Sequence, residues 1–336
     1  MKKNHLSIIT EGGQKYGFGH ITRCLSIEKQ FQQYDFQSNF IINGDESVVP
    51  ILKNSSYVIY NWIEKQNELL TQISNSSLIL IDSIQISNQQ ILEIQHLNIP
   101  IIYIDDEKRR NILDTGFVVD WTVLSEQKDH FVPKKKNVHY LLGSQYTPLR
   151  EGFSTAESNI IKEDIDSILI SFGGSDVRNI TPSILKALVI SLPNITKNIV
   201  IGAGFTNIDK IRAQADKNTV FILNADSHSM IELMQTNDLA ISAGGQTLYE
   251  LARIGTPTIA ILLVENAIDD TLGWEKVGGI INIGWWDNER LLENLTSAIH
   301  ELCDKETRQG MQNKAKSYIS PNGAEILVKE IIDKLK

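Results

Sequence analysis

Two stretches of the chain place chemistry-bearing residues at spacings a ligand could use. The first is Ile241-Ser242-Ala243-Gly244-Gly245-Gln246-Thr247-Leu248-Tyr249-Glu250-Leu251. Asp238 to Ser242 reads as a short buried strand and Gly244-Gly245 as a sharp turn. Thr247 to Ile254 reads as a helix stopped by Gly255 and Pro257. Strand, glycine turn and helix present backbone N–H groups and the positive end of a helix dipole, an anion site that needs no lysine. Glu250, one turn in, is placed to accept from sugar hydroxyls. A nucleotide-sugar diphosphate on this turn is one expectation; an ordinary strand–helix turn of an α/β sheet reads the same residues equally well.

The second stretch is Glu11-Gly12-Gly13-Gln14-Lys15-Tyr16-Gly17-Phe18-Gly19-His20. Its four glycines make a loop whose backbone can approach a ligand closely. His20 and Arg23 fall in the first turn of the next helix, whose inner side is marked by Ile21, Cys24, Leu25 and Phe31. The spacing is not G-x-G-x-x-G, and no acidic residue ends a following strand at the right place, so NAD is disfavoured. Asp82-Ser83 and Asp105-Asp106-Glu107 close two apolar runs. Carboxyl ends of strands are where open parallel sheets bind ligands. For Asp82, capping the next helix is the slightly stronger reading.

The elements that must position these residues alternate along the chain. Leu6–Thr10, Gln37–Ile42, Tyr57–Tyr60, Leu78–Ile81, Ile101–Ile104 and Phe117–Val123 read as strands. Ser47–Lys53, Glu64–Ser74 and Ser87–Leu97 read as helices between them. Unbroken apolar strands with helical crossovers argue for a parallel sheet covered on both faces. A polar passage, roughly 151–166, reads as a linker. A second series then begins, with strands at Ser167–Phe172, Asn198–Ile201, Val220–Leu223, Thr258–Val264 and Ile280–Ile283. Thr181-Pro182 reads as an N-cap followed by proline at the first helical position. Helices at Glu289–Leu302, Lys305–Ile319 and Gly323–Leu335 complete it. Trp285-Trp286 are expected to be partly buried at the edge of the second sheet.

The 336 residues suit two domains, and the formal charge of −9 argues against non-specific nucleic-acid binding. Two distant cysteines, Cys24 and Cys303, suggest a reducing compartment rather than a disulfide framework. Met1-Lys2-Lys3-Asn4-His5 leads into a short strand, not a signal peptide, and no apolar run reaches membrane-spanning length. A cytoplasmic protein without stable membrane insertion is expected.

Five segments in order carry a resemblance. They are Gly17-Phe18-Gly19-His20-Ile21-x-Arg23, Tyr103-Ile104-Asp105-Asp106-Glu107, Gly143-x-x-Tyr146-x-x-Leu149-Arg150-Glu151, Phe172-Gly173-Gly174-Ser175-Asp176-x-x-Asn179, and Ile241 through Glu250. Together they resemble the UDP-sugar hydrolases of the pseudaminic acid pathway and their spore-coat polysaccharide relatives, which are related to the MurG-like glycosyltransferases. The likeness implies an α/β fold of GT-B type, with two Rossmann-like parallel-sheet domains facing across a cleft. It implies domains at 1–158 and 159–319, with a terminal helix in 320–336 packing back toward the first. It also implies hydrolysis of a UDP-linked diacetamido-trideoxy sugar, inverting, with no metal and no cofactor.

Carried over residue by residue, His20 is the general base. Gly17, Gly19, Arg23, Asp82, Asp105, Arg150 and Asn266 attend the sugar. Gly173, Gly174, Gly202, Gly244, Gly245, Gln246 and Thr247 attend the diphosphate, and Glu250 the ribose. The chain departs from the hydrolase pattern at Asp82-Ser83-Ile84, where the family carries Asp-His-Tyr, and at Asn266-Ala267, where it carries Asn-Gln. A UDP-sugar-dependent glycosyltransferase and a non-catalytic UDP-sugar-binding protein stand as alternatives.

Overall fold

The computed structural model describes residues 4–52 and 54–336. The expected lead-in at Met1-Lys2-Lys3 and the end of the expected helix at Lys53 lie outside the described residues. The chain forms two compact units, Met1–Arg150 with Asn322–Lys336, and Glu151–Pro321.

In unit 1 the elements are β1 (His5–Gly12), α1 (Gly19–Gln32), β2 (Gln37–Gly44), α2 (Val49–Leu52), β3 (Ser56–Ile59), α3 (Gln66–Ile73), β4 (Leu78–Asp82), α4 (Asn88–Gln95), β5 (Ile101–Ile104), β6 (Gly116–Asp120) and β7 (Val138–Leu142). They make a seven-stranded sheet in the order β3-β2-β1-β4-β5-β6-β7, with every pairing parallel. The central strands β1, β4 and β5 are buried almost along their whole length, as strands covered on both faces are. Ile9, Ile79, Ile81, Ile91, Ile94 and Leu69 belong to one core cluster of this unit.

Three local readings change. The expected helix at Ser47–Lys53 is a 3₁₀ turn, Glu46–Val48, running into the four-residue α2. Asp45 caps it by accepting from the Ser47 amide, and Pro50 removes a donor the longer helix would need. The strand expected at Phe117–Val123 stops at Asp120. Strand β7 was not anticipated, since Tyr140-Leu141-Leu142 offered only a short apolar run.

Unit 2 contains β8 (Ser167–Ser171), α5 (Thr181–Ser191), β9 (Thr196–Ile201), α6 (Ile208–Arg212), β10 (Thr219–Leu223), α7 (Ser227–Thr236), β11 (Leu239–Ala243), α8 (Gln246–Ile254), β12 (Thr258–Leu262), α9 (Ile268–Lys276), β13 (Ile281–Trp285), α10 (Leu291–Glu301) and α11 (Lys305–Ser317). Its parallel sheet runs β10-β9-β8-β11-β12-β13. Ile168, Ile170, Ile199, Ile241, Ile259 and Ile261 centre its core. Thr181 is not the cap of α5. Ile180 holds that position without a side-chain bond, and the buried Asp176 carboxylate accepts from the Ile180 and Thr181 amides at 3.0 and 3.1 Å.

The polar passage 151–166 is part of unit 2. Buried Arg308 of α11 donates to the Lys162 and Glu163 carbonyls at 2.7 and 2.8 Å. Gln312 donates to the Asn159 carbonyl at 2.9 Å. The last helix, α12 (Gly323–Leu335), belongs to unit 1 and packs on α1. Its start lies so close to Thr147 that a Cβ at Gly323 would sit 2.1 Å from the Thr147 carbonyl oxygen. Among the described residues, no helix is long and apolar enough to cross a membrane.

Candidate active site

In unit 1 the site begins with strand register. β1 and β4 are parallel neighbours with Thr10 beside Asp82, so the loop after β1 and the end of β4 emerge at one edge. That loop is a tight hairpin in which Gly13 and Gly17 exchange backbone hydrogen bonds at 2.9 and 2.7 Å. Asp45, beyond β2, latches it by accepting from the Gln14 amide at 2.9 Å. Gly13 has φ +127°, and a Cβ there would meet the Asp45 carboxylate at 2.3 Å. By contrast, nothing lies within 4 Å of a Cβ position on Gly17 or Gly19. The start of α1 is therefore open, and His20 is its second residue.

His20 Nδ1 lies 2.8 Å from Asp82 Oδ1. Arg23, one turn on, donates from Nε to Asp82 Oδ2 at 2.7 Å and from Nη1 to Asp106 Oδ2 at 2.8 Å. Its Nη2 also donates to Asp82 Oδ1 and lies 3.2 Å from His20 Nδ1. The guanidinium sits 4.9 Å over the Trp121 ring. Cys24 donates its S–H to Asp82 Oδ2 at 3.3 Å. Asp82 is thus the hub of a buried cluster and caps no helix. Helix α4 is capped instead by Ser87, in a reciprocal box with Gln90.

The electrostatics follow from those contacts. Burial opposes ionisation of Asp82, but the Arg23 and His20 charges outweigh it and hold the carboxyl well below the usual range. Burial pushes the His20 imidazole down; the Asp82 charge overcomes this, against opposition from Arg23, and the net direction is up. Burial, then Asp82, push the Cys24 thiol well up, so it stays protonated. With Asp82 ionised, the neutral imidazole carries its proton on Nδ1 and leaves Nε2 as the basic nitrogen.

His20, Arg23, Asp82, Ile84, Asp105 and Asp106 share one small hollow, also lined by Glu107 and Lys108. Asp105 is 2% exposed, and burial pushes its carboxyl up to about 6. Ser83 stands where the resemblance calls for His, and it does structural work: its hydroxyl donates to the buried Glu11 carboxylate, which also accepts from the Ile84 amide at 3.0 Å. Ser83 Oγ in turn accepts from the Gln85 and Ile86 amides at 3.0 and 3.1 Å. Arg150 is half-buried at the end of the first segment of unit 1 and does not line this hollow.

In unit 2 the expected glycines follow strands β8, β9 and β11, and Asn266 follows β12. Parallel pairing brings these carboxyl ends to one edge of the sheet. Gly245 is the N-cap of α8 with φ +106°, and nothing lies within 4 Å of its Cβ position. Gln246 and Thr247 open the helix and are half-buried. Gly173, with φ +73°, and Gly174 are equally open.

Gly202 and Gly244 differ from these. A Cβ on Gly202 would reach the Gly174 carbonyl oxygen at 2.4 Å, and one on Gly244 would meet Thr271 Oγ1 at 2.5 Å and Ala267 Cβ at 2.8 Å. These two glycines let neighbouring chain pack under the open loops. Glu250 is 1% exposed in the inner part of α8. Asn266 is exposed on the turn Glu265–Ala267. Trp286 is half-buried, with the Arg178 guanidinium 5.1 Å from its ring.

Comparison with known proteins meets this geometry from outside. No protein-family model matches the chain. It is 27% identical over 270 residues to the uncharacterized protein MJ1062 of Methanocaldococcus jannaschii, covering 76% of this chain and 55% of that one. The chain thus spans about half the length of that relative. It is 23% identical over 287 residues to the spore coat polysaccharide biosynthesis protein SpsG of Bacillus subtilis, covering 83% and 84%. It is 24% identical over 274 residues to the UDP-2,4-diacetamido-2,4,6-trideoxy-beta-L-altropyranose hydrolase of Campylobacter jejuni, covering 79% and 93%. Among solved structures, MurG of Acinetobacter baumannii superposes with TM-score 0.69 at 15% identity, covering 98% of this chain and 99% of that one. The fold is GT-B, and the relatives are those the sequence resembles.

A second GT-B neighbour, UDP-GlcNAc 2-epimerase from Neisseria meningitidis bound to UDP-GlcNAc, has TM-score 0.65 at 13% identity, covering 98% of this chain and all of that one. On this GT-B frame, the sequence reading omitted four parts of the unit 1 cluster. Asp106 reads in the sequence only as a strand-end acid, yet Arg23 bridges it to Asp82. Glu11 was read as the first loop residue, whereas it is a buried member of β1. Trp121 and Cys24 read as core residues. Only the folded structure brings Trp121 to Arg23 and Cys24 to Asp82. The signal that could have found Asp106 and Glu11 is their shared place at carboxyl ends of parallel strands.

Proposed function

We propose that the chain is a UDP-sugar hydrolase in which unit 2 holds UDP and unit 1 supplies the base. The observation that carries this is the His20–Asp82 pair, 2.8 Å apart and braced by Arg23, at the open start of α1. A carboxylate on Nδ1 fixes the tautomer and leaves Nε2 to take a proton from water, as a general base requires. The water oxygen bonds to the anomeric carbon while the bond from that carbon to the diphosphate oxygen breaks. The electron pair leaves with UDP, and the proton passes to Nε2. Attack opposite the departing UDP inverts the centre, and the scheme assigns no metal.

UDP is held at the start of α8, where Gly245, Gln246 and Thr247 offer backbone N–H groups and the helix dipole favours the anion. Gly173 and Gly174 let a second loop approach the phosphates, and the same donors stabilise the charge of the departing UDP. Gly202 and Gly244 support these loops. Glu250 takes the ribose hydroxyls, and Arg23 orients Asp82. The identity of the relatives supports a substrate of the diacetamido-trideoxy class and a role in nonulosonic acid or surface polysaccharide synthesis.

The test is UDP release from UDP-2,4-diacetamido-2,4,6-trideoxy-β-L-altropyranose and from UDP-GlcNAc, with no acceptor added. Wild type should release UDP and free sugar, and His20→Ala should lose roughly 10²–10⁴ of kcat while binding UDP normally. Release that persists undiminished in His20→Ala would remove the base. Release that needs an added acceptor would make the reaction glycosyl transfer. Unchanged UDP affinity in Glu250→Ala would remove the ribose contact.

A further inference from the structure

One edge of the unit 2 sheet lacks the devices that usually guard an edge. Strand β10 (Thr219–Leu223) is the outermost strand, and its neighbour is β9. The Lys197 amide donates to the Asn218 carbonyl at 2.9 Å, and the Asn224 amide to the Ile201 carbonyl at 2.8 Å. Those two bonds fix the phase of the ladder. Val220 and Ile222 turn their backbone groups to β9, and Thr219, Phe221 and Leu223 turn theirs outward. Among the described residues, nothing bonds the outward amides of Phe221 and Leu223. Val220 is 47% and Leu223 58% exposed. From Asn218 to Ala225 there is no charge, no proline and no glycine. The opposite edge, β13, is spoiled by a register shift against β12 and by Gly284 at φ +93°. A regular, apolar, uncharged edge such as β10 is a template for another strand.

We propose that β10 is an interaction surface for a second copy of this chain, the two strands pairing antiparallel about a two-fold axis at Phe221. The outward backbone groups complement themselves in that register. Phe221 faces Phe221 of the second copy, and each amide donates to the other's carbonyl. Leu223 falls opposite Thr219, and its amide donates to the Thr219 carbonyl of the second copy. The Thr219 amide needs no new partner, because it already donates to the Asp216 carbonyl at 3.2 Å. Both unpaired donors of the edge thus gain an acceptor. The flanking charges agree. Exposed Lys217 precedes the strand and exposed Asp226 follows it, while Asp216 is held at 2.8 Å by buried Lys197. Antiparallel pairing brings Lys217 of each copy within one position of Asp226 of the other, whereas parallel pairing would set like charges at like ends. A two-fold contact closes on itself, so assembly stops at two copies. The five residues of β10 bury less than the roughly 1,200 Å² of a standard stable complex, so the dimer is reversible and concentration-dependent.

Sedimentation equilibrium of the full chain from about 1 to about 100 μM tests this, across the affinity range of small interfaces. The average mass should rise toward that of a dimer, and Val220→Lys/Leu223→Lys should weaken association by about tenfold or more. Both side chains are exposed, so the dilute variant should melt as wild type does. A wild type that stays monomeric throughout, or a dimer that the two lysines leave intact, overturns the proposal. A cysteine pair reads the register without added charge. Val220 falls opposite Ile222 of the second copy in a non-hydrogen-bonded pair, with Cα atoms about 4.5 Å apart and within disulfide reach. Val220 lies about 7–8 Å from Val220 of the second copy, beyond that reach. In a Cys303→Ser background, Val220→Cys/Ile222→Cys should form a covalent dimer on mild oxidation, and Val220→Cys alone should not. Equal cross-linking by the two variants, or none by either, overturns the pairing about Phe221. Neither measurement involves UDP, so the hydrolase reading stands or falls separately.

Discussion

At the scale of single residues, the His20–Asp82–Arg23 cluster makes opposite demands on one proton. Asp82 favours the imidazolium, and Arg23, 3.2 Å from Nδ1, opposes it. Asp106, Glu11 and the other acids around the hollow add negative charge. A base must be neutral to act, and the folded pKa of His20 lies above its ordinary value. The rate of UDP release should therefore rise with pH through a limb centred above about 6.5. Asp82→Asn removes the favouring charge, so the limb should move to lower pH while the plateau falls because the tautomer is no longer fixed. Arg23→Gln should move it to higher pH, and Arg23→Lys should restore most of the shift. A pH–rate series on these variants, with the imidazole followed by NMR, decides it. A limb that stays in place in both variants would mean that another group titrates. The positions of His20, in the first turn of α1, and of Asp82, at the carboxyl end of β4, were legible in the sequence. Their partnership was not, because 62 positions separate them and only parallel register brings them together.

At the scale of elements, the two kinds of glycine in unit 2 make different predictions. Gly202→Ala places a methyl against the Gly174 backbone at 2.4 Å, and a backbone neighbour cannot swing aside as a side chain can. The loop after β8 should shift, weakening UDP binding although residue 202 touches no ligand in the proposed mode. Gly174→Ala meets no atom within 4 Å in the unliganded loop, so it should fold normally and weaken UDP only by crowding it. Calorimetric UDP titrations beside melting curves separate the cases. Gly202→Ala should lose both stability and affinity, Gly174→Ala affinity alone. Equal behaviour of the two would mean that the loop does not depend on Gly202. The sequence showed these glycines as one class, since a missing side chain looks the same whether it makes room for ligand or for backbone. Element types were more legible. The apolar runs of β1, β4, β5, β8 and β11 and the Gly255 stop of α8 announce themselves. Strand β7 and helix α9 did not, because a short apolar run such as Tyr140-Leu141-Leu142, or one interrupted by Gly273, carries no decisive period.

At the scale of the whole molecule, chain order and structural membership part company at the C-terminus. The last fifteen residues, Asn322–Lys336, belong to unit 1 although all of unit 2 precedes them. Leu327, Val328 and Ile331 of α12 are fully buried, and the helix packs on α1, which carries His20 and Arg23. Tyr146 adds a tether by donating to the Glu330 carboxylate at 2.7 Å. Leu327→Ala should therefore cost unit 1 about 2–5 kcal/mol, as truncation of a fully buried leucine does. Unit 2 has its own core, and Arg308 on α11 satisfies the Leu302 and Cys303 carbonyls at 2.6 and 2.9 Å as well as those of Lys162 and Glu163. Arg308→Ala should act on unit 2 alone, by about 2–4 kcal/mol through the buried carbonyls it abandons. Hydrogen exchange can read the units separately. Leu327→Ala should speed exchange in β1, β4 and α1 and lower kcat at constant UDP affinity, because it loosens the helix that carries His20, the proposed base. Arg308→Ala should speed exchange in β11 and α8 and weaken UDP binding. If either substitution loosened both units equally, the fold would unravel as one cooperative body, and loss of the base could not be separated from loss of the nucleotide site.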